Sequence, residues 1–270
     1  MNRFLFYLTF AFALLAAPAT RAQSTHSHGT ERPIHFPDVP GYLTLKVDLH
    51  THSVLSDGNV WPSIRVQEAI RDGLDAVSLT EHIEYRPHRD DIPFEDQNRS
   101  HEIATKAAGN SELIVIPGTE ITRDMPPGHA NAVFVKDPNL LLLDDFRAQF
   151  AEAHRQGAFT FWDHPDWTSQ RKDGIARLDP VHLELIESGQ LSGIEVVNSR
   201  TYSDEALQIA LDHNLTIIGT SDVHGLIEWD YNMTPEGHRP VTLVFAEERT
   251  GESIHAALVA RRTAVWYKNT

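Results

Sequence analysis

The sequence predicts a parallel α/β fold closed into a barrel. Three observations predict it. Short apolar runs alternate with helix-like segments over residues 43–270, the pattern of a parallel sheet covered by crossover helices. Seven or so of these runs read as strands, enough to close a sheet on itself. Finally, His, Asp and Glu recur at the carboxyl ends of successive runs, and that end of a β/α barrel is its active-site face.

The elements follow in order. Leu43–Leu49 reads as the first strand. Pro62–Asp72 reads as a helix, with proline where no amide hydrogen is needed and Gly73 just past the end. Ala76–Leu79 is the second strand, Arg99–Ala108 a helix, Leu113–Thr119 the third strand and Ala132–Val135 a shorter fourth. Asp144 is expected to cap a helix carrying Phe146, Phe150 and Ala153 and stopped by Gly157. Ala158–Trp162 is the fifth strand, Pro180–Glu187 a helix and Gly193–Val197 the sixth strand. Ser203 caps a helix through Ala206, Leu207 and Ala210 that ends near His213 and Asn214. Leu215–Gly219 is the seventh strand. Val241–Phe245 and a helix near Ser253–Arg261 close the chain.

Residues 1–22 read as a secretory signal. Arg3 precedes the apolar run Phe4–Ala17, which falls short of the about 20 residues that span a bilayer. Cleavage is expected after Ala22, leaving a periplasmic or secreted protein with no stable membrane anchor. Residues 23–42, punctuated by Pro33, Pro37 and Pro40 and containing His26, His28 and His35, read as a flexible leader. The single catalytic domain is expected over 43–270. The net charge is −15, and loss of Arg3 and Arg21 with the signal makes it −17. A surface that acidic excludes tracking along a nucleic-acid polymer.

The chain holds 16 His and no Cys among its 270 residues. Any metal site must therefore be built from imidazole and carboxylate, a donor set suited to Mn, Fe or Zn. The stretch VDLHTHSVLSDGN, Val47–Asn59, puts His50 and His52 two apart at a strand end, on one side of the extended chain, with Asp57 just beyond. Later strands end in Thr80-Glu81-His82, Gly118-Thr119-Glu120, Asp163-His164-Pro165, Glu195-Val196-Val197-Asn198 and Ser221-Asp222-Val223-His224.

Taken together, DLHTHSVLSDG, AVSLTEH, IPGTEIT, GHANAVF, DHP, IEVVN and TSDVHG resemble the ordered motifs of the PHP (polymerase and histidinol phosphatase) family, from about Val47 to Gly225. The resemblance implies a distorted (β/α)7 TIM-like barrel. It also implies two to three divalent metal ions and hydrolysis of small phosphate esters by a metal-bridging hydroxide. Carried over by position, it implies one metal held by His50, His52, Glu120 and Asp222. A second would be held by Asp57 and His82, with Glu120 as the bridge, and a third by His129, His164 and His224. Unlike the other candidates, His129 precedes its strand. The family often has Asp where Glu81 stands, and Glu81 is expected behind the ligands. Glu120 and Asp222 are the expected catalytic residues, Asp222 to orient the attacking water.

Arg200, three residues past Val197, could grip a substrate phosphate. Arg86, Arg89 and Arg123 follow ligand strands and are weaker candidates. Trp162 reads as packing, while Trp167 and Trp229 flank ligand motifs. His154 and His213 sit near helix C-termini, where the helix dipole favours them. His88, His101, His182, His238 and His255 read as surface residues. Two rival readings are an amidohydrolase-type barrel acting on C–N or C–O bonds and a non-catalytic periplasmic metal-binding protein. The first usually places a lysine at a strand end, where this chain has none, and the second would have no open coordination position.

Overall fold

The computed structural model describes residues 35–233 and 237–268. The expected signal, and the leader as far as residue 34, lie outside the described residues. Residues 35–42 do not hang free. Phe36 meets the Trp266 ring edge-on at 4.9 Å, the Thr44 hydroxyl donates to the Pro37 carbonyl, and Val39 bridges to Tyr42.

Strands β1 (Leu43–Asp48), β2 (Ala76–Leu79) and β3 (Ile114–Ile121) pair in parallel. So do β5 (Phe159–Trp162), β6 (Gly193–Asn198) and β8 (Thr216–Thr220). The expectation of an all-parallel barrel is corrected at β4 (Ala130–Val133), which lies antiparallel between β3 and β5. The link from β3 to β4, residues 122–129, contains no helix to carry the chain back, so β4 can only return antiparallel. The hairpin strand β7 (Thr201–Tyr202) extends β6, while β9 (Val241–Ala246) runs antiparallel beside β1 and β10 (Thr263–Trp266) antiparallel beside β9. The result is a distorted TIM-like barrel.

The barrel closes unevenly. At its carboxyl end the chain beyond β8 joins that beyond β1: Asp222 N donates to His50 O at 2.9 Å and His52 N to Val223 O at 3.1 Å. Lower down, β9 and β10 splay in, and the Thr242 hydroxyl bridges the backbone N and O of Gly219. A β-carbon at Gly219 would lie 2.4 Å from the Val265 side chain, so this seam requires glycine.

The helices α1 (Pro62–Arg71), α2 (Arg99–Ala108), α3 (Phe146–Gln156), α4 (Pro180–Glu187) and α5 (Asp204–His213) fall where the sequence puts them. The cap of α3 is Asp145 rather than Asp144, and its carboxylate accepts from Arg147 N. A one-turn helix, α6 (Ile227–Asp230), follows β8. The last helix, α7 (Gly251–Val259), begins two residues before Ser253 because Thr250 caps it. Inward side chains of β1, β3, β5, β8 and β9, among them Val47, Ile116, Phe161, Ile218 and Val244, fill the barrel below the site.

One expected surface histidine is buried. His182 stacks on Trp162 with centroids 4.1 Å apart. Its Nδ1 accepts from Asp179 N and its Nε2 lies 2.7 Å from Pro127 O. Burial pushes its pKa down, which suits a neutral ring with one donor and one acceptor. Trp162 is fully buried, as packing requires.

Candidate metal centre

His50 and His52 leave β1 fully buried. Their Nε2 atoms lie 3.0 Å apart. Each ring's other nitrogen is engaged elsewhere: His50 Nδ1 lies 2.9 Å from Glu195 Oε1, and His52 Nδ1 lies 3.3 Å from the Ser56 hydroxyl. Glu120 Oε2, from β3, is 3.1 and 3.2 Å from the two Nε2 atoms. Asp222 Oδ1, from beyond β8, is 3.2 and 3.3 Å from them. Four ligand atoms held about 2.0 Å from one metal in a tetrahedron would stand about 3.3 Å from each other. The five distances above lie near that figure, but Asp222 is not drawn into one group with His50, His52 and Glu120.

Beside this quartet, Asp57 Oδ1 faces His82 Nε2 at 3.4 Å and His224 Nε2 at 3.2 Å. The second oxygen of Glu120 turns to another pair, 3.2 Å from His82 Nδ1 and 2.5 Å from His129 Nδ1. His129 reaches the site because β4 is antiparallel: its amino end lies on the face where its neighbours end. The trio His129, His164 and His224 is not drawn into one group. His224 stands with His52, Asp57 and His82, and His129 with His82 and Glu120. The His164 ring is centred 5.0 Å from that of His129 and 6.0 Å from that of His50.

Asp57 Oδ1, Glu120 Oε1, His129 Nδ1, His164 Nδ1 and Asp222 Oδ1 are buried without a hydrogen-bond partner. All but His164 Nδ1 lie at ion-pair distance from another member of the cluster without forming a hydrogen bond, and buried polar atoms left this way call for an explanation. Divalent cations fit them: every atom is an imidazole nitrogen or a carboxylate oxygen.

The electrostatics agree. Burial alone would raise Glu120 and Asp222, but the surrounding histidines, His82 foremost for Glu120 and His50 for Asp222, hold both well below the usual carboxylate range. Burial alone would lower His82, yet the Glu120 charge and the Asp57 carboxylate beside it push it up to about 11. His224 is raised to about 8 against its burial by Asp57 and Asp222. His164 is the exception, since burial dominates and lowers it to about 4.

The walls of the site are held from behind. Glu81 accepts from Ser53 N, the Ser56 hydroxyl and the Ser100 hydroxyl, which fixes the loop between His52 and Asp57. In that loop Gly58 packs so tightly that a β-carbon would lie 2.9 Å from the His52 backbone. Arg65, fully buried, donates to His52 O and Val223 O and so ties the ends of β1 and β8 together. His164 and Asp222 both have positive φ, at 29° and 49°, a strained backbone that persists where surrounding structure enforces it, often at functional sites.

Sequence reasoning assigned no role to Glu195 or Arg65. Glu195 accepts from His50 Nδ1, His164 N, Asn198 Nδ2 and the Thr220 hydroxyl, and so links four strand ends. Its signal was an unpaired charge inside the otherwise apolar strand GIEVV. Arg65 left a similar trace, an arginine on the buried face of α1.

The groups open into a cavity of about 1050 Å³ lined by Asp57, His82, Glu120, His129, His164, Asp222 and His224, with Arg200, Trp167 and Trp229 farther out. The Arg200 side chain is 63% exposed at the mouth and donates to Asp230 O. Arg123 does not line this space: it bonds Gln149, Leu143 O and Glu84. Neither does Arg86, which lies over the Phe94 ring, nor Arg89.

This barrel and its histidine–carboxylate cluster fit the metal-dependent hydrolases as a class. The chain is similar to a two-domain protein of Bacteroides vulgatus that contains a predicted PHP-like metal-dependent phosphoesterase. The two share 50% identity over 88% of this chain and 69% of that one, with a TM-score of 0.86. The chain therefore belongs to the PHP-like metal-dependent phosphoesterase family. Two more distant crystal structures share its fold. A provisionally named metal-dependent phosphoesterase of Bifidobacterium adolescentis is 17% identical over 80% of this chain and 96% of its own, with a TM-score of 0.52. PsfC of Pseudomonas syringae is 18% identical over 83% and 91%, with a TM-score of 0.55. No family model matches the chain, and no curated protein matches it.

Proposed function

We propose that this protein is an exported hydrolase of small phosphate mono- or diesters that works with two to three divalent ions, Mn, Fe or Zn. One observation carries the reading. Glu120 points its two oxygens into two different histidine groups, toward His50 and His52 on one side and His82 and His129 on the other. That arrangement supports a bridge between two metal positions.

Bound divalent ions would supply positive charge to phosphoryl oxygens and acidify a nearby water. The chain's own groups complete the site. His50, His52, Glu120 and Asp222 would hold the first ion, and Asp57 and His82, with His224 beside them, the second. His129 and His164 would serve any third. Asn198 donates to Asp222 Oδ2 and leaves Oδ1 facing the cluster, where it could orient a water. Arg200, at the mouth, is placed to meet a phosphate oxygen from outside.

The substrate is proposed to be small because the net charge of −15 repels a polyanion from most of the surface. Export is proposed from the amino-terminal sequence, with Gln23 as the first residue of the processed chain. The decisive experiment purifies the protein with Mn supplied and screens mono- and diesters for release of phosphate or alcohol. Metal content well below one ion per chain, unrecovered by added Mn or Zn, would sink the metal centre. Full metal with no ester turned over would leave a metal-binding protein instead.

A further inference from the structure

We infer that the mouth of the cavity is an aromatic subsite for a flat leaving group, an aryl ring or the base of a nucleoside. The reaction it would serve rests on the phosphoesterase reading, but the binding does not. Trp167 follows β5 and is 43% exposed; Trp229 lies in α6 beyond β8 and is 66% exposed. Both line the same cavity, and Arg200, from the strand end between theirs in the barrel, lines it as well. The Trp167 ring stands edge-on to His164 and His129, with centroids 5.1 and 5.6 Å away. It is therefore within one ring's reach of the candidate ligands. Trp229 folds back over Gly225, where a β-carbon would sit 2.7 Å from the indole. That close packing holds the ring in place although most of its surface faces solvent.

A single exposed ring needs no explanation, but apolar surface gathered in one groove marks a ligand site, and Trp167 and Trp229 line one cavity. At about 1050 Å³ the cavity stands at the top of the about 300–1,000 Å³ range that encloses drug-sized ligands. A phosphate among the histidines would leave its outer part to the rest of the ester. Indole faces suit flat rings, which stack on them with little regard to ring identity, and the Arg200 guanidinium can stack in the same way.

The test compares phenyl phosphate, a nucleoside monophosphate and ethyl phosphate with Mn-loaded wild type, W167A, W229A and W229F. Loss of either indole should lower kcat/KM for the flat esters about tenfold more than for ethyl phosphate, through KM, and W229F should retain the selectivity. A selective loss on both flat esters, or on one alone, supports the subsite and tells aryl from nucleoside recognition. An equal loss on all three esters, or none, overturns it. Fluorescence-monitored binding of phenylphosphonate against ethylphosphonate separates the two readings. If no ester is hydrolysed, the phosphoesterase reading fails. In that case phenylphosphonate must still bind about tenfold more tightly than ethylphosphonate and lose that margin in W229A, or the subsite fails as well.

Discussion

Substituting Glu195 by Gln isolates one link between the scaffold and the candidate metal centre. The change keeps the shape and removes one charge. Every partner of Glu195 donates to it: His50 Nδ1 and the Thr220 hydroxyl on Oε1, His164 N and Asn198 Nδ2 on Oε2. A glutamine presents one NH2 and must turn it toward one of these pairs. The backbone N–H of His164 cannot accept, and flipping Asn198 would break its bond to Asp222 Oδ2. The NH2 must therefore face His50 and Thr220. Thr220 can rotate its hydroxyl to accept, but His50 can accept only by moving its proton to Nε2. That nitrogen is the one aimed at Glu120 and Asp222, and protonating it removes the lone pair that would bind metal. Changes to such outer-shell partners cost about 10–100-fold in metal affinity or activity, or about 1.4–2.8 kcal/mol. Competition with a chelator at fixed pH measures the affinity, and a thermal melt checks that the variant folds. Metal affinity and activity within twofold of wild type would refute the tautomer argument.

Glu120→Gln should lower activity by about 10² or more, the scale for losing a key electrostatic stabiliser, and should lose more than one ion per chain in elemental analysis. Near-normal turnover would refute the bridge. Because His82 and His224 titrate near 11 and 8, both are protonated at pH 7 before metal binds, so uptake of Mn or Zn should release protons and tighten as pH rises. Calorimetry in two buffers of different ionisation enthalpy checks this, and an affinity unchanged from pH 6.5 to 8.5 would contradict it. The same raised values stabilise the metal-free protein below about pH 6.5, where both folded and unfolded imidazoles are charged. The His224 share is lost as pH climbs through 8 and the His82 share goes on falling toward pH 11, so the metal-free melting temperature should fall as pH rises above 6.5. Small esters should be turned over with weak salt dependence and an oligonucleotide far less well. A faster oligonucleotide with steep loss at high salt would show that a local cationic groove outweighs the acidic surface.

Most of the fold was legible because its signals are local. Helix starts at Pro62, Pro180 and Ser203 and stops at Gly157 and Asn214 need only their own neighbours. Strand direction is not local. Nothing within ANAV says that β4 runs antiparallel, since four buried residues look alike either way. The same blind spot made His129 look misplaced. The cluster around His50 was legible because each member stands at a strand end, and the strand order brings those ends together. The grouping of His224 with Asp57 was not, because it depends on how the loops after β1 and β8 cross, and that crossing is set by Arg65 and Gly58. His182 was misread because its reason for being buried, the Trp162 ring, comes from β5 rather than from its own helix.

The placement of fixed charge says what kind of partner this site requires. Asp57, Glu120, Glu195 and Asp222 crowd one end of the barrel beside Asp163, whose carboxyl burial pushes up toward its neutral form, and among the described residues the ion pairs of all five are with histidines. The nearby buried arginines are committed elsewhere: Arg65 to Glu68 and two backbone carbonyls, Arg239 to Asp48 and Asp72. A permanent side-chain cation inside the cluster would have balanced the carboxylates and occupied the space a ligand needs. Histidine instead offers a charge that can leave. Each proton given up frees a nitrogen lone pair and uncovers a carboxylate, so the groups that offset the carboxylates are the ones that would bind a metal. Protons and divalent ions thus compete for the same atoms, and without metal the cluster is most stable while His50, His82 and His224 are charged.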